Sequence, residues 1–442
     1  MISHAAETAR AFLGPMPGRR EIEAVCRVAL AAAVVLTALS IALGSAGRLF
    51  LGHAPGGDFA QFYVAGKILN EYSGARVYDV LLESKLQAGV RPTDNPNVAL
   101  VYANAPFIAL LCRPLACLPY LWAYAVFLLL ISALYVSGLW LIWPAGEGFR
   151  KVSRTALLVS LSFAPFAFEC WFGGQLSVLA FFFLALLVRC ERANLRVAAG
   201  ASLAACIYKP TLLVLAVPML LVGRRFRELA GFLAGTSALA GVSLLAVGQE
   251  GCVGYLRTLM MYGHFSLGAD SPLQFQKYVD IRTFFRLLFG SHSYLGGVAA
   301  LAFAAVAIFR LSKAWARSGG YPRPAQELLL AATMSWTLVW NLYVPLYDTV
   351  LAVIGALLTA GVLYRSADGQ EGNPSIRSFH IMVLLLYTGA WLTQPLASAF
   401  RIQVFTVLLA GFGWVQLTWA HRAAQGVQSV ECPGHTGRAG AA

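Results

Sequence analysis

Long apolar runs alternate with short basic segments along most of this chain. The first run, residues 25–50, can cross a bilayer and exceeds the apolar region of a secretory signal peptide. Counting the runs predicts about twelve membrane-crossing helices. The second lies at 118–143, the third and fourth flank a turn at 169–175, and the fifth and sixth form a pair within 197–222. The remaining six lie at 229–247, 294–309, 327–342, 346–363, 379–396 and 404–420.

Composition makes lipid the main solvent of this chain. Of its 442 residues, 59% are hydrophobic and 12% are charged, and the mean hydropathy is +0.68. Soluble domains carry about a quarter charged residues, so this chain has too few to cover a water-facing surface. We therefore predict an all-α polytopic membrane protein, a bundle of about twelve transmembrane helices with two large extracytoplasmic loops.

The distribution of charge gives an orientation. The net charge of +13 comes from basic clusters between the apolar runs, which is the positive-inside pattern and does not indicate nucleic-acid binding. It predicts a cytoplasmic N-terminal segment (1–24), a transmembrane domain (25–420) and a cytoplasmic, disordered tail (421–442). Two long loops, 52–103 and 248–293, fall on the outer side. A helical bundle indicates the inner (plasma) membrane, because outer-membrane spans are barrels.

One apolar stretch, residues 197–222, is basic at both ends and so needs an even number of crossings. Lys209-Pro210 lies at its centre. Proline cannot donate a backbone hydrogen bond and disfavours helix in the preceding residue. Such a break is tolerated within a membrane only where it lines protein or water. We therefore predict a re-entrant pair of short helices that meet at Lys209.

The first outer loop offers the most informative carboxylate. Asp58 follows the first span at the membrane edge, behind the pair Gly56-Gly57, which permits close backbone approach. A partly desolvated carboxylate there suits a general base. The alternative is a structural role, because Asp is a favoured residue for the N-cap of a helix that starts at Phe59. Asp79, later in this loop, is open to a structural or a donor-binding role.

Several short motifs, in order, resemble glycosyltransferase family 87, membrane enzymes of the GT-C architecture whose known members include polyprenyl-phosphate-mannose-dependent α-mannosyltransferases. The motifs are Asp58-Phe59 through Tyr63-x-Ala65-Gly66, Val77-Tyr78-Asp79, Tyr102-Ala103-Asn104-Ala105-Pro106-Phe107, Pro114-Leu115, Gly174-Gln175-Leu176-Ser177, Gly200, Tyr208-Lys209-Pro210, Arg224-Arg225 and Tyr347-Asp348. They extend most clearly over residues 55–227.

The resemblance implies a hexosyltransferase that acts on the extracytoplasmic face. A polyprenyl-phosphate sugar, with mannose expected, would be the donor, and a hydroxyl of a glycolipid or glycan would be the acceptor. Asp58 would act as the general base of an inverting transfer, and cations would hold the departing phosphate. The enzyme would need no cofactor, and no metal site is predicted, because the scattered histidines do not form a metal-binding group.

The residues themselves supply candidates for donor and substrate binding. Lys209 in an apolar run is costly, which suggests a functional group, although its side chain can also extend to the interface. Arg113 could bind phosphate or anchor the membrane edge, and Gln175 could bind sugar hydroxyls or cap a helix. Tyr63 could stack on a sugar or belong to the interfacial aromatic belt. Asp348 is expected to face the site from the opposite side.

Two other functions remain open at this point. A transporter or flippase of a lipid-linked or small polar substrate would also have many spans and interrupted helices. Transporters keep charged residues near the midplane, whereas the outer loops here carry several carboxylates, Asp58, Asp79, Asp270 and Asp280. A scaffold protein with a decayed site is the third alternative.

Overall fold

The computed structural model describes residues 17–43, 56–90, 100–267, 274–290, 294–341, 343–366 and 373–428. Asp270, residues 1–16 and 429–442 of the predicted end segments, and parts of both predicted outer loops lie outside these ranges. The described chain is helical and contains no strand; one isolated antiparallel bridge joins Tyr278 to Pro345. The predicted all-α class is therefore confirmed for this part of the chain.

Seventeen α-helices fall within the described ranges, joined by short 3-10 and π turns. They are α1 (Arg19–Leu43), α2 (Phe59–Glu71), α3 (Val80–Val90), α4 (Pro106–Ala116), α5 (Tyr120–Ile142), α6 (Glu147–Arg150), α7 (Ser153–Ser162), α8 (Ser177–Arg192), α9 (Arg196–Ala204), α10 (Ala216–Val222), α11 (Phe226–Leu267, two helical parts joined at a kink at Gly248, whose backbone is not helical), α12 (Ile281–Phe289), α13 (Tyr294–Ala316), α14 (Arg323–Val339), α15 (Ala352–Ser366), α16 (Pro374–Phe400) and α17 (Val404–Gln428). Helix α17 thus runs eight residues past the predicted last span.

Seven segments of the described chain are long and apolar enough to cross a membrane. They are Arg19–Leu43, Tyr120–Ile142, Phe226–His264, Tyr294–Ala316, Leu346–Ser366, Pro374–Phe400 and Val404–Gly426. An eighth would be α7 with the turn Pro165–Phe172, a pair bent by 43°. The protein is therefore a polytopic membrane protein, whereas the count of twelve crossings is not confirmed. Some predicted crossings coincide with shorter apolar helices.

The break predicted at Lys209 is present. Two 3-10 turns, Ala205–Tyr208 and Pro210–Leu213, flank Lys209, whose backbone is not helical. The two ends of this stretch meet on the basic side, because Arg196 lies 3.7 Å from Glu228 and Arg225 lies 3.6 Å from Glu191. The stretch is a helical hairpin with Lys209 near its tip.

Helices α9 and α11 pack closely enough that their contact requires glycine. A Cβ added at Gly200 would lie 1.7 Å from the carbonyl oxygen of Glu228, and one at Gly231 would lie 2.0 Å from that of Val197. Small residues allow this approach between membrane helices, where dispersion and polar contacts replace the hydrophobic effect. This packing fixes one arm of the hairpin and so the position of its tip.

The segment before α12 is attached to both the later loop and the last helix. The amide of Val279 donates to the carbonyl of Val344 at 2.8 Å, and the Thr406 hydroxyl donates to the carbonyl of Val279 at 2.7 Å. Asp280 caps α12 by accepting a hydrogen bond from the Thr283 amide at 2.9 Å. Burial raises the pKa of the Asp280 carboxyl to about 6. Val279 is thereby held against the segment 343–345 and the start of α17.

A buried carboxyl anchors α3. Glu83 is 1% exposed, and its Oε2 accepts a hydrogen bond from the amide of Tyr102 at 2.9 Å. Burial raises the pKa of Glu83 to about 8. This contact fastens α3 to the chain that leads into α4.

Candidate active site

A polar cavity of about 530 Å³ lies where several parts of the chain meet. Among them are the start of α2, the segment 100–104, the turn before α8, the tip of the hairpin, the end of α11, and the segments 274–278 and 343–347. Asp58, Gln175 and Lys209 all line it. We call it the Asp58 cavity. The structure therefore brings together three of the residues that the sequence marked as site candidates.

Two glycine pairs place Asp58 at the cavity wall. The Asp58 amide donates to the carbonyl of Gly173 at 2.9 Å. A Cβ at Gly57 would lie 2.6 Å from that same oxygen, and one at Gly174 would lie 2.3 Å from the carbonyl oxygen of Gly56. Gly56, Gly57 and Gly174 also have positive φ angles, which favour glycine. The close backbone approach expected at this pair is present.

The side chain of Asp58 is directed to a partner across the cavity wall. Asp58 occupies the N-cap position of α2, but its side chain makes no capping hydrogen bond. Its Oδ2 instead accepts a hydrogen bond from Nε2 of Gln175. Gln175 is 6% exposed, so this amide is fixed in place. The position is that of a cap, while the carboxylate faces the cavity.

Lys209 forms an ion pair at the tip of the hairpin. Its Nζ lies 2.7 Å from both carboxylate oxygens of Asp348, whose side chain is fully buried. Ser177 donates a further hydrogen bond of 2.6 Å to Asp348 Oδ1. The same Nζ lies 4.3 Å from the centre of the Tyr347 ring, within cation–π range. Asp348 thus holds Lys209 from behind and leaves its ammonium at the wall.

Three other candidates make their contacts away from the Asp58 cavity. The Tyr63 hydroxyl donates to the carbonyl of Leu118 at 2.9 Å. Arg113 Nε donates to Asn70 Oδ1 at 3.0 Å. Asp79 accepts from Arg76 at 2.8 Å, and these hydrogen bonds lower the pKa of its carboxyl. None of Tyr63, Arg113 and Asp79 is among the residues that line the cavity.

The cavity also contains polar residues that sequence reasoning missed. Glu169 is a second carboxylate at its wall, and Gln394 donates to Glu169 Oε1 at 2.9 Å. Lys277 adds a second cation. An acidic residue inside the apolar run Phe166-Ala167-Phe168-Glu169-Cys170-Trp171-Phe172 was the available signal, since such a charge is costly in a membrane. Lys277 carried no comparable signal.

Tyrosine hydroxyls complete the lining. Tyr262, Tyr278, Tyr343 and Tyr347 face the cavity. Burial raises the pKa values of Tyr278 and Tyr343, so both hydroxyls stay protonated and can donate hydrogen bonds. Within the described residues, no group of three or more His, Cys, Asp or Glu side chains is arranged to hold a metal ion. The arrangement offers carboxylates, ammonium groups and neutral donors around one space.

Comparison with known proteins identifies the family. The family model described as Glycosyltransferase family 87 matches residues 102–340, more than half of the chain. Gln175, Lys209 and Glu169 lie inside the matched region, whereas Asp58 and Asp348 lie outside it. Neither the search of curated proteins nor that of solved structures gave a match. The matched region, together with the polytopic helical fold, shows that this chain belongs to glycosyltransferase family 87.

Proposed function

We propose that this membrane glycosyltransferase transfers mannose from a polyprenyl-phosphate donor to an acceptor hydroxyl of a glycolipid or glycan on the extracytoplasmic face, with inversion and with Asp58 as general base. The observation that carries the proposal is that Asp58 and Lys209, far apart in sequence, line one cavity. A base and a cation around a single space are the groups that displacement of a phosphate from a sugar requires.

The proposed step is a single displacement. The acceptor oxygen forms a bond to the anomeric carbon while the bond from that carbon to the phosphate oxygen breaks. Asp58 takes the hydroxyl proton, and polyprenyl phosphate leaves with the electron pair of the broken bond. Lys209 offsets the charge of that phosphate, and Gln175 orients Asp58 through its hydrogen bond. Backside attack with one base gives inversion.

The second carboxylate is assigned to the acceptor. Glu169, fixed by Gln394, can accept hydrogen bonds from sugar hydroxyls, and Lys277 and the tyrosines can donate to them. Asp348 acts through Lys209, because it does not line the cavity itself. Tyr63, Asp79 and Arg113, which the sequence placed in substrate binding, have no assigned contact with the sugar in this proposal.

The proposed side of the membrane follows from charge. Lys209 lies near the tip of a hairpin whose ends are joined by Arg196 and Arg225 ion pairs. Gln175 precedes α8, and the basic residues of that helix lie in its last turn. The Asp58 cavity is therefore at the helix ends opposite to the basic ends. The positive-inside rule then favours an extracytoplasmic site in the plasma membrane, with cytoplasmic termini.

The test is transfer by the purified protein in nanodiscs. Radiolabelled polyprenyl-phosphate-mannose and a membrane lipid extract are supplied to wild type, to Asp58→Asn and to Glu71→Gln. Glu71 ends the same helix, and its side chain is 51% exposed outside the cavity. We expect wild type and Glu71→Gln to label a new product. Asp58→Asn should lose about 10²–10⁴-fold in turnover, the usual contribution of a general base.

The outcomes separate the parts of the proposal. Near-normal turnover by Asp58→Asn would remove Asp58 as the base. If the protein transferred another sugar from polyprenyl phosphate but not mannose, only the sugar named in the proposal would be wrong. In the same assay, Glu169→Gln should raise the acceptor KM more than it lowers kcat. A fall of kcat in Glu169→Gln with an unchanged acceptor KM would contradict the role given to Glu169.

A further inference from the structure

A second cavity, of about 610 Å³, lies at the other ends of the helices and shares no lining residue with the Asp58 cavity. It is formed between the starts of α1 and α16, helix α7, and helix α15. Arg377, in the first turn of α16, lines it, and we call it the Arg377 cavity. The proposed glycosyl transfer makes no use of this space.

The walls of the Arg377 cavity are mainly apolar and reach into the bundle. Val159, Phe163, Leu357 and Val383 are among its lining residues. At Tyr387, a polar contact adjoins the lining: its hydroxyl and that of Ser162 are 3.0 Å apart and hydrogen-bonded. A space with such walls suits a hydrocarbon chain better than a sugar or another polar metabolite.

The formally charged side chains in the described lining are two arginines. Arg19, Arg377 and His380 line it, and its described lining contains no aspartate or glutamate. Arg19 donates to the backbone carbonyl of Lys151 at 3.3 Å. Two carboxylates of α1 adjoin the lining: Glu21 accepts a hydrogen bond of 2.8 Å from the Gly18 amide, and Glu23 accepts one of 2.8 Å from Thr155 and one of 3.0 Å from Arg27. The cavity therefore combines an apolar interior with two arginines in its lining, and the two carboxylates that adjoin it are both hydrogen-bonded.

We propose that the Arg377 cavity binds one anionic phospholipid, with an acyl chain in the apolar interior and the phosphate between Arg19 and Arg377. Charge complementarity carries the choice of an anionic lipid, since basic pockets between membrane helices on the cytoplasmic side attract anionic head groups. The bound lipid connects α1, α7, α15 and α16, and so stabilises the bundle from the side opposite to the catalytic cavity.

The experiment measures melting temperature in nanodiscs of phosphatidylcholine with increasing fractions of phosphatidylglycerol. The wild-type melting temperature should rise with the anionic fraction, because a ligand that binds only the folded state stabilises it. The double variant Arg19→Gln/Arg377→Gln should lose most of this rise in melting temperature. Arg227→Gln removes an exposed arginine that does not line the cavity and should keep it.

A second pair of variants tests the apolar interior. Ala356 lines the cavity, and Ala356→Phe should fill it and lose the shift, whereas Ala305→Phe on an exposed face of α13 should not. Native mass spectrometry should find one retained phosphatidylglycerol on wild type and none on either cavity variant. This second measurement does not depend on how stable each variant is.

Three results would overturn the proposal. The first is an equal shift in wild type and in both cavity variants, which would mean that bilayer charge acts elsewhere. The second is an equal shift with soluble glycerol phosphate, which would mean a free-phosphate site. The third is a shift that appears only after deletion of residues 2–15, which would mean that the chain's own N-terminal segment occupies the cavity.

Discussion

The ion pair between Lys209 and Asp348 allows a quantitative test of how the Asp58 cavity is held together. The side chain of Asp348 is fully buried and that of Lys209 is 13% exposed, with 2.7 Å between the charged atoms. Two unit charges 4 Å apart attract by about 4 kcal/mol at an effective dielectric constant of 20, and this pair is closer. Removing one partner of a buried pair costs about 3–5 kcal/mol, because the other charge stays buried and unpaired.

The perturbation is a double-mutant cycle of Asp348→Asn, Lys209→Met and both together. Each single variant should lose about 3–5 kcal/mol of unfolding free energy. The double variant should lose about 2–3 kcal/mol less than the sum of the two, because it leaves no unpaired charge. Unfolding would be followed in mixed micelles by titration with SDS. All three variants should also lose transfer, since each changes the ammonium at the cavity wall.

The matched control is the pair Arg76 and Asp79, which are 2.8 Å apart but 50% and 32% exposed. The same cycle there should give a coupling free energy below about 1 kcal/mol, as exposed pairs do. Additive losses at Lys209 and Asp348, or equal coupling at both pairs, would refute the argument that burial makes the inner pair strong.

Two further predictions concern stability. In the folded state the pKa of the Glu83 carboxyl is about 8, above its ordinary value of 4.5. Its protonated form therefore favours folding, and this contribution to the free energy of unfolding is complete below pH 4.5 and is lost as the pH rises through 8. Between about pH 6 and 8, wild-type unfolding free energy should therefore fall by up to about 1.4 kcal/mol per pH unit relative to Glu83→Gln; parallel profiles would contradict this. Gly231→Ala should cost at least about 1–3 kcal/mol through its overlap with Val197, whereas Gly241→Ala, with nothing within 4 Å, should be neutral or slightly stabilising. Equal melting temperatures for the two alanine variants would refute the close-packing explanation.

The features that sequence predicted well are those with local causes. The break at Lys209 follows from the next residue being proline, and the approach of the turn near Asp58 to the turn near Gln175 depends on glycines visible in both. The apolar runs predicted where most helices lie, but they did not establish the number of membrane crossings. Several runs form helices of 7–16 residues, whose role as spans depends on their neighbours.

The features that sequence could not supply depend on distant partners. Glu169 receives its hydrogen bond from Gln394, 225 residues away. Conversely, Tyr63 and Arg113 looked available because nothing in the sequence marks their partners, the backbone carbonyl of Leu118 in the turn after α4 and the side chain of Asn70 in α2. A polar side chain near a membrane edge is equally compatible with substrate contact and with a hydrogen bond to the next helix. Only the packed bundle distinguishes these two cases.

The order of synthesis gives the pair Lys209–Asp348 a consequence for biogenesis. Lys209 is made 139 residues before its partner. While the ribosome completes that interval, the hairpin tip presents an ammonium group with no carboxylate to meet it, which is costly in a bilayer. The nascent chain must therefore keep this tip near water or the insertion machinery until Asp348 arrives. A truncated product that ends before residue 348 would be a substrate for membrane quality control, even though most of its helices are present.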